Sequence, residues 1–265
     1  MKIPVKTTKE TALMIEGGKK LARVARKVLK QTKPGVKLDS LNQSAENSIY
    51  GEKGEPSFKK VPNYHWATCI NINDGVVHGI PGAYKIQEGD LVSLDLGMVY
   101  RGYHTDMART ICVRSQKSPV LDFVSTRSGK SGIQKDLFLE VGKKALKQAI
   151  KAARAGNRVG DISQSIEKVV KGSGFYPVEN LTGHGIGKNL HEAPSIPCFL
   201  ADRVADTLSL KTGMALAIEV IYTQRKTDLY ITEDGWTVRT RDGSLAALFE
   251  DTVLITDLGS KVITR

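Results

Sequence analysis

Asp95 and Asp106 are the first residues whose spacing points to joint chemistry. They flank Leu-Gly-Met-Val-Tyr-Arg-Gly-Tyr-His-Thr, which reads as the turn of a hairpin. If residues 99–102 form that turn, the two side chains oppose each other on one face, about 5 Å apart at Cβ. Carboxylates held that close repel unless a proton or a cation lies between them. Taken alone, the pair is more simply read as two unrelated acidic residues near loops.

Further along, Gly183-His184-Gly185-Ile186-Gly187 is followed by Asn189-Leu190-His191-Glu192-Ala193-Pro194. Three glycines within five residues exclude a packed helix, so His184 is expected on exposed or strained backbone, where ligand and catalytic roles concentrate. Singly, His184 and His191 are each also compatible with a structural histidine satisfied by its neighbours. Two glutamates sit in apolar strand contexts: Glu219 in Met-Ala-Leu-Ala-Ile-Glu-Val-Ile, and Glu250 in Leu-Ala-Ala-Leu-Phe-Glu-Asp-Thr-Val-Leu. A carboxylate in such a run is buried only when paired or bound to metal. Asp95, Asp106, His184, Glu219 and Glu250 together offer four carboxylates and one imidazole. That donor set suits two divalent ions (Mn, Co, Fe or Zn) about 3.5–4 Å apart. No EF-hand spacing is present, and a calcium loop would not need the histidine.

The elements that must position these groups follow from periodicity. Residues 7–31 read as an amphipathic helix, with Leu13, Leu21, Val24, Val28 and Leu29 at helical spacing and Gly17-Gly18 weakening its middle. Residues 38–50 read as a second helix, with Asp39 or Ser40 as candidate N-cap. Residues 51–66 are loop-like, and short strands follow from 67 to 113. Residues 114–135 are polar and read as a surface insertion. Helices are expected at 136–153 and 160–171, and strands at 215–222, 229–232 and 248–256. Helices then strands, twice over, give an α+β layout with helices on one face of an antiparallel sheet. No linker divides the chain, so 1–265 reads as a single domain.

Composition narrows the class. The chain has 265 residues, 40% hydrophobic and 25% charged, ordinary values for a globular protein. No apolar run of ~18 residues exists to cross a membrane, and Met1–Lys6 has no apolar core of a secretory signal. Cys69, Cys112 and Cys198 lack C-x-x-C spacing, which argues against disulfides and a thiolate zinc cluster. A reduced, cytoplasmic protein is expected. The formal charge of +11 is either a soluble surface with a basic bias or an attraction to a polyanion such as RNA.

In this order and context the five donor residues resemble those of the methionine aminopeptidases, over nearly the whole chain. Asp95 in Leu-Asp-Leu-Gly and Asp106 in His-Thr-Asp-Met-Ala-Arg-Thr keep that family's gap, and His184 matches its Gly-His-Gly-Ile-Gly motif. Val76-Val77-His78-Gly79-Ile80-Pro81 resembles its substrate-binding histidine motif, and Trp236–Ser244 the stretch before its last glutamate. The short spacing between His191 and Glu219 is similar to type I members. The resemblance implies the pita-bread fold, a curved antiparallel sheet with outer helices and pseudo-two-fold symmetry around two divalent ions. It implies removal of the initiator methionine from nascent polypeptides with a small second residue, by a monomer, possible contact with the ribosome through the basic surface, and no membrane.

Roles follow from the same resemblance. Asp95, Asp106, His184, Glu219 and Glu250 would hold two metals, with Asp106 and Glu250 bridging. A water between the ions would attack the first peptide carbonyl, with Glu219 as proton shuttle. His78 would hydrogen-bond the substrate and His191 the developing oxyanion. Tyr64, Cys69 and Trp236 match positions lining the family's methionine pocket, where sulfur–aromatic contact suits a thioether. Departures from the bacterial pattern are Val220 after Glu219, Asp251 after Glu250, Leu248 for a glutamine, Phe58 for a pocket cysteine, and a longer 114–135. Two competing readings are an Xaa-Pro peptidase of the same fold, which usually carries an extra N-terminal domain, and a non-catalytic RNA- or ribosome-binding relative.

Overall fold

The computed structural model describes residues 3–114 and 127–265, and of residues 127–133 the backbone alone. Its helices are α1 (Thr8–Gln31), α2 (Leu38–Gly51), α3 (Arg127–Ala152) and α4 (Val159–Gly172). Its strands are β1 (Glu55–Pro56), β2 (Thr68–Ile72), β3 (Gly75–Val77), β4 (Leu91–Tyr100), β5 (Tyr103–Cys112), β6 (Tyr176–Pro177), β7 (Thr182–Gly185), β8 (Glu192–Pro197), β9 (Ala215–Thr223), β10 (Leu229–Ile231), β11 (Val238–Thr240), β12 (Ala246–Thr256) and β13 (Gly259–Val262). The main sheet runs β1-β4-β5-β12-β9-β7-β8, with β2 beside β4, β6 beside β9 and β13 beside β12. A smaller sheet runs β10-β11-β3. Every pairing is antiparallel.

The expected α+β layout is present, and its two halves repeat. Helix α1 lies on β4 and β5, with α2 beside it, and α3 lies on β9 and β12, with α4 beside it. The halves meet where β5 pairs β12. Of the predicted insertion, residues 115–126 lie outside the described residues, and the segment from Arg127 already belongs to α3.

Helix α1 starts on a reciprocal cap that the periodicity did not reveal. The Thr7 hydroxyl accepts from the Glu10 amide at 3.3 Å, and the Glu10 carboxylate accepts from the Thr7 amide at 2.8 Å. Glu10 also accepts from the Tyr103 hydroxyl at 2.8 Å, which pins the helix start to β5. The apolar stripe buries Met14, Leu21, Val24 and Val28 completely, each contributing about 1.5–3 kcal/mol. Gly17 and Gly18 do not weaken this helix so much as let it touch the sheet. A Cβ on Gly17 would meet Tyr100 at 3.0 Å, and one on Gly18 would overlap the Ile263 carbonyl.

Two local expectations are corrected. Helix α2 is not capped by Asp39 or Ser40, because its cap position is Lys37 and no side chain bonds there. Its free amides are taken by another loop: Leu38 donates to the Tyr84 carbonyl at 3.1 Å and Asp39 to that of Gly82 at 3.0 Å. The β4–β5 hairpin also turns one residue later than expected. Arg101 and Gly102 both have positive φ, 49° and 83°, as a two-residue turn of the type favoured by strand twist requires. Tyr100 therefore faces Tyr103, Asp95 faces Ala108, and Asp106 faces Gly97. The two aspartates are diagonal neighbours on one face rather than directly opposed.

Gly18→Ala tests the tight seating of α1. Helix propensity alone predicts a gain of about 1 kcal/mol. Overlap with backbone predicts a loss of about 1–3 kcal/mol instead. Urea unfolding should show a lowered midpoint, and an unchanged or raised midpoint would mean that α1 has room to retreat.

Candidate metal centre

The register of the main sheet assembles the site. Cys69 pairs Asp95, Asp95 pairs Ala108, Ala108 pairs Glu250, and Glu250 pairs Glu219, one continuous row across β2, β4, β5, β12 and β9. Directly paired residues, and residues two apart, share a face. Asp106 is two residues from Ala108, and His184 pairs Ala217, two residues from Glu219. All five predicted ligands therefore point to the same side, and the small Ala108 leaves room between them.

The expected exposure or strain at His184 is not what the fold provides. His184 lies within β7, buried, and paired with Ala217 and Ser195. Its flanking glycines serve close strand packing: a Cβ on Gly183 would sit 2.6 Å from the Ala217 carbonyl oxygen. Strained backbone occurs instead at His78, whose φ is 57°.

The cluster is crowded with charge. Asp95, Asp106, His184 and Glu250 are 8%, 4%, 8% and 2% exposed, so water cannot neutralise them. Burial and the charge of Asp106 drive Asp95 well above the usual carboxylate range, and burial with the charges of Asp106 and Glu219 does the same to Glu250. Burial raises Asp106 to about 7, and burial with the charge of Asp106 raises Glu219 to about 8. Burial lowers His184 to about 4, so its ring is neutral. Its Nδ1 lies 2.8 Å from the Gly185 carbonyl, which takes that N–H and leaves the Nε2 lone pair facing Glu219, 3.7 Å away.

These residues fit a divalent cation. Asp95 Oδ1 and Glu250 Oε1 are buried without a hydrogen-bond partner. One ligand atom each from Asp106, His184 and Glu250 lie within 4.8 Å of one another. Oxygen donors with one imidazole are the set expected for Mn, Fe, Co or Zn.

A cavity of about 140 Å³ ends on the cluster. Its apolar wall is Phe58, Val61, Tyr64, Cys69, Leu190 and Trp236. The Tyr64 and Trp236 rings meet edge to face at 5.0 Å, and the Tyr64 hydroxyl reaches the Thr68 carbonyl at 2.9 Å and Cys69 Sγ at 3.2 Å. Val61 and Leu190 also line this wall, with no motif in the sequence to mark them. His78 and His191 stand exposed at the mouth. His191 meets the His184 ring edge-on at 4.5 Å. A second cavity of about 450 Å³ continues outward from His78, His184, His191 and Glu219 past Asn180, Thr182 and Ser195.

Strand alternation sorts the departures. Val220 and Asp251 each neighbour a ligand and so face the helix side. Val220 is core, and Asp251 is fully buried against Arg109 (2.6 Å), Arg265 (2.9 Å) and the Thr264 hydroxyl (3.0 Å). Arg109 also donates to the Glu250 carbonyl, which clamps that strand from behind.

The raised acids set a pH dependence. Unfolded, these carboxyls titrate near pH 4. Folded, they hold protons to higher pH, so their contribution to stability is full below ~4 and is lost as pH rises toward the folded values of about 7 and about 8. Chelated protein should therefore lose melting temperature as the pH is raised to about 8, and added Mn²⁺ should restore it most at the upper end. Thermal scans check this; curves unmoved by the ion at every pH would remove the cluster as a metal site.

The model of metallopeptidase family M24 matches residues 12–257. A methionine aminopeptidase of Clostridium perfringens is 33% identical over 262 residues, 99% of this chain and 98% of that protein. Methionine aminopeptidase 1 of Bacillus subtilis is 34% identical over 98% of both. The crystal structure of the Thermotoga maritima methionine aminopeptidase superposes with a TM-score of 0.89 at 35% identity, covering 100% of both chains. The Pyrococcus furiosus prolidase gives 0.73 at 26% identity, with 98% of this chain against 65% of its own. With a donor cluster of the kind a metallopeptidase needs and full-length relatives of one kind, the chain belongs to the M24 metallopeptidases and, among them, to the methionine aminopeptidases.

Proposed function

We propose that the chain removes the initiator methionine from nascent polypeptides in the cytoplasm, as one catalytic unit whose groups come from both halves of the sheet. What carries this reading is the convergence of the row Asp95, Glu250 and Glu219, with Asp106 and His184, on the closed end of an aromatic slot. Asp95, Asp106, His184, Glu219 and Glu250 would hold two divalent ions. Such ions supply Lewis acidity, polarising a peptide carbonyl and lowering the pKa of water at the site to about 7.

The protein's own groups do the rest. The slot of Tyr64, Cys69 and Trp236 takes the methionine side chain, and its thioether meets aromatic rings and a thiol that burial keeps protonated. The second residue and those beyond it lie along the outer cavity, between His78 and Ser195. His78 orients the peptide at the mouth. His191 donates to the carbonyl oxygen as that oxygen gains charge. Glu219, at the junction of the two cavities, takes a proton from the attacking water onto its carboxylate and passes it to the leaving amine.

Peptides with mass-spectrometric readout test this. Met-Ala-Ser should lose methionine with Mn²⁺ or Co²⁺ and stay intact with chelator, while Met-Lys-Ser and Ala-Pro-Ser persist. Release of alanine from Ala-Pro-Ser would move the protein to the Xaa-Pro specificity. Glu219→Gln should lower kcat about 10²-fold or more. Full activity of that variant would remove Glu219 as the proton carrier.

The basic surface supports work beside the ribosome. Lys19, Arg23, Arg26, Lys27 and Lys30 are exposed along α1. Co-sedimentation with ribosomes is expected at low salt and should fade as ionic strength passes ~0.15 M, where the screening length falls to about 8 Å. No binding at low salt would end this part of the reading.

A further inference from the structure

A buried ion pair joins the first residues of the chain to the loop that carries His191. Lys6 Nζ lies 2.5 Å from Glu192 Oε2, and the two side chains are 5% and 6% exposed. The backbone at Lys6 is itself anchored, its amide donating to the Gly213 carbonyl at 2.7 Å. The other oxygen of Glu192 accepts from the Asn189 amide at 3.1 Å. Asn189 in turn accepts from the Gly187 amide at 3.1 Å, and Gly187 accepts from the His104 amide at 2.7 Å. Lys6 fills the space beside Gly187, where an added Cβ would sit 2.7 Å from Nζ.

Residues 186–191 belong to no helix or strand, so no ladder of backbone bonds fixes them. Gly185 and Gly187 bracket their start and add conformational freedom. The Glu192 carboxylate supplies part of what the backbone lacks, gripping Asn189 with one oxygen and Lys6 with the other. A charge this buried holds one geometry only while its partner is present. Glu192 directly follows His191 and lines the outer cavity beside it.

We propose that Lys6 is a positioning residue of the active site: through Glu192 it fixes the 187–191 loop and thereby the place of the His191 ring at the mouth of the cavity. The segment before α1 would thus support the site from outside its cavities. This rests on the reading of His191 as a group that acts on the peptide.

The test uses the full chain loaded with Mn²⁺ and Met-Ala-Ser as substrate. Lys6→Met should lower kcat ~10- to 10²-fold, the loss that a misplacement of about 1 Å causes, with KM nearly unchanged and metal content as in the parent. Hydrogen exchange at the Asn189 amide should speed up in the same variant. Lys6→Arg should restore most of the rate, because it keeps the ion pair. Glu192→Gln should reproduce the loss, and Lys6→Met combined with Glu192→Gln should be no slower than the slower single variant, because both break one tether. His191→Ala is measured in parallel. A slow His191→Ala beside a Lys6→Met that keeps parental kcat and parental exchange overturns the tether. Parental kcat in His191→Ala overturns the role of His191 itself. A double variant whose loss is the product of the two single losses also overturns the tether, since the residues would then act independently.

Discussion

Everything in this protein answers to one electrostatic constraint. Four carboxylates and a histidine share one face of the sheet, largely out of water, and ligand atoms of Asp106, His184 and Glu250 lie within 4.8 Å of one another before any cation is bound. Burial alone disfavours each charge, and proximity adds repulsion. Loops would let the groups drift apart. A sheet does not, because its hydrogen-bond ladder fixes where each Cβ stands. The row from Cys69 to Glu219 is built from backbone pairing on five strands, so the repulsion works against the best-ordered part of the molecule. Helices α1 and α3 cover the other face and bury apolar surface there, which offsets the cost of the acidic face.

The repeat of hairpin and helix pair explains where the donors come from. Asp95 and Asp106 stand on β4 and β5, and Glu219 and Glu250 on β9 and β12. Each half brings two carboxylates to the seam where β5 meets β12. The donors whose ligand atoms lie within 4.8 Å of one another are Asp106 from one half and His184 and Glu250 from the other, so binding a cation there would tie the halves together. At the seam, Thr252 bonds both the amide and the carbonyl of Asp106, at 2.8 and 2.7 Å, and behind it Arg109 holds Asp251 and the carbonyl of Glu250. Thr252 gives its support from the face of the donors, where it is fully buried, and Arg109 from the helix side.

Much of this was legible in the sequence, and the gaps have physical causes. That the candidate donors would gather was legible because a carboxylate in an apolar strand has few stable explanations, and Glu219 and Glu250 do pair directly. The helices were legible from period, to within a residue or two for α1 and α2. The hairpin register was not, because Arg101-Gly102 gives a two-residue turn without the asparagine or aspartate that usually signals one. His184 was misjudged because glycine has two uses, bending a chain and admitting a close neighbour, and sequence does not say which. The Lys6–Glu192 pair spans 186 positions, and no local pattern encodes a contact of that range.

The departures from the bacterial pattern turn on parity. A strand places alternate residues on opposite faces, so a substitution next to a ligand cannot enter the site, whatever its chemistry. Val220 and Asp251 are such neighbours, and they alter the support of Glu219 and Glu250 without changing what substrate meets. Leu248 is different, because it is two residues from Glu250 and faces the cavity side. It pairs Ile221, which lines the outer cavity, so an apolar pair underlies the path where a glutamine would have brought hydrogen-bonding groups. Selectivity for residues beyond the methionine is therefore where this chain has most freedom to differ from its relatives, while the row that gathers the donors is fixed by register.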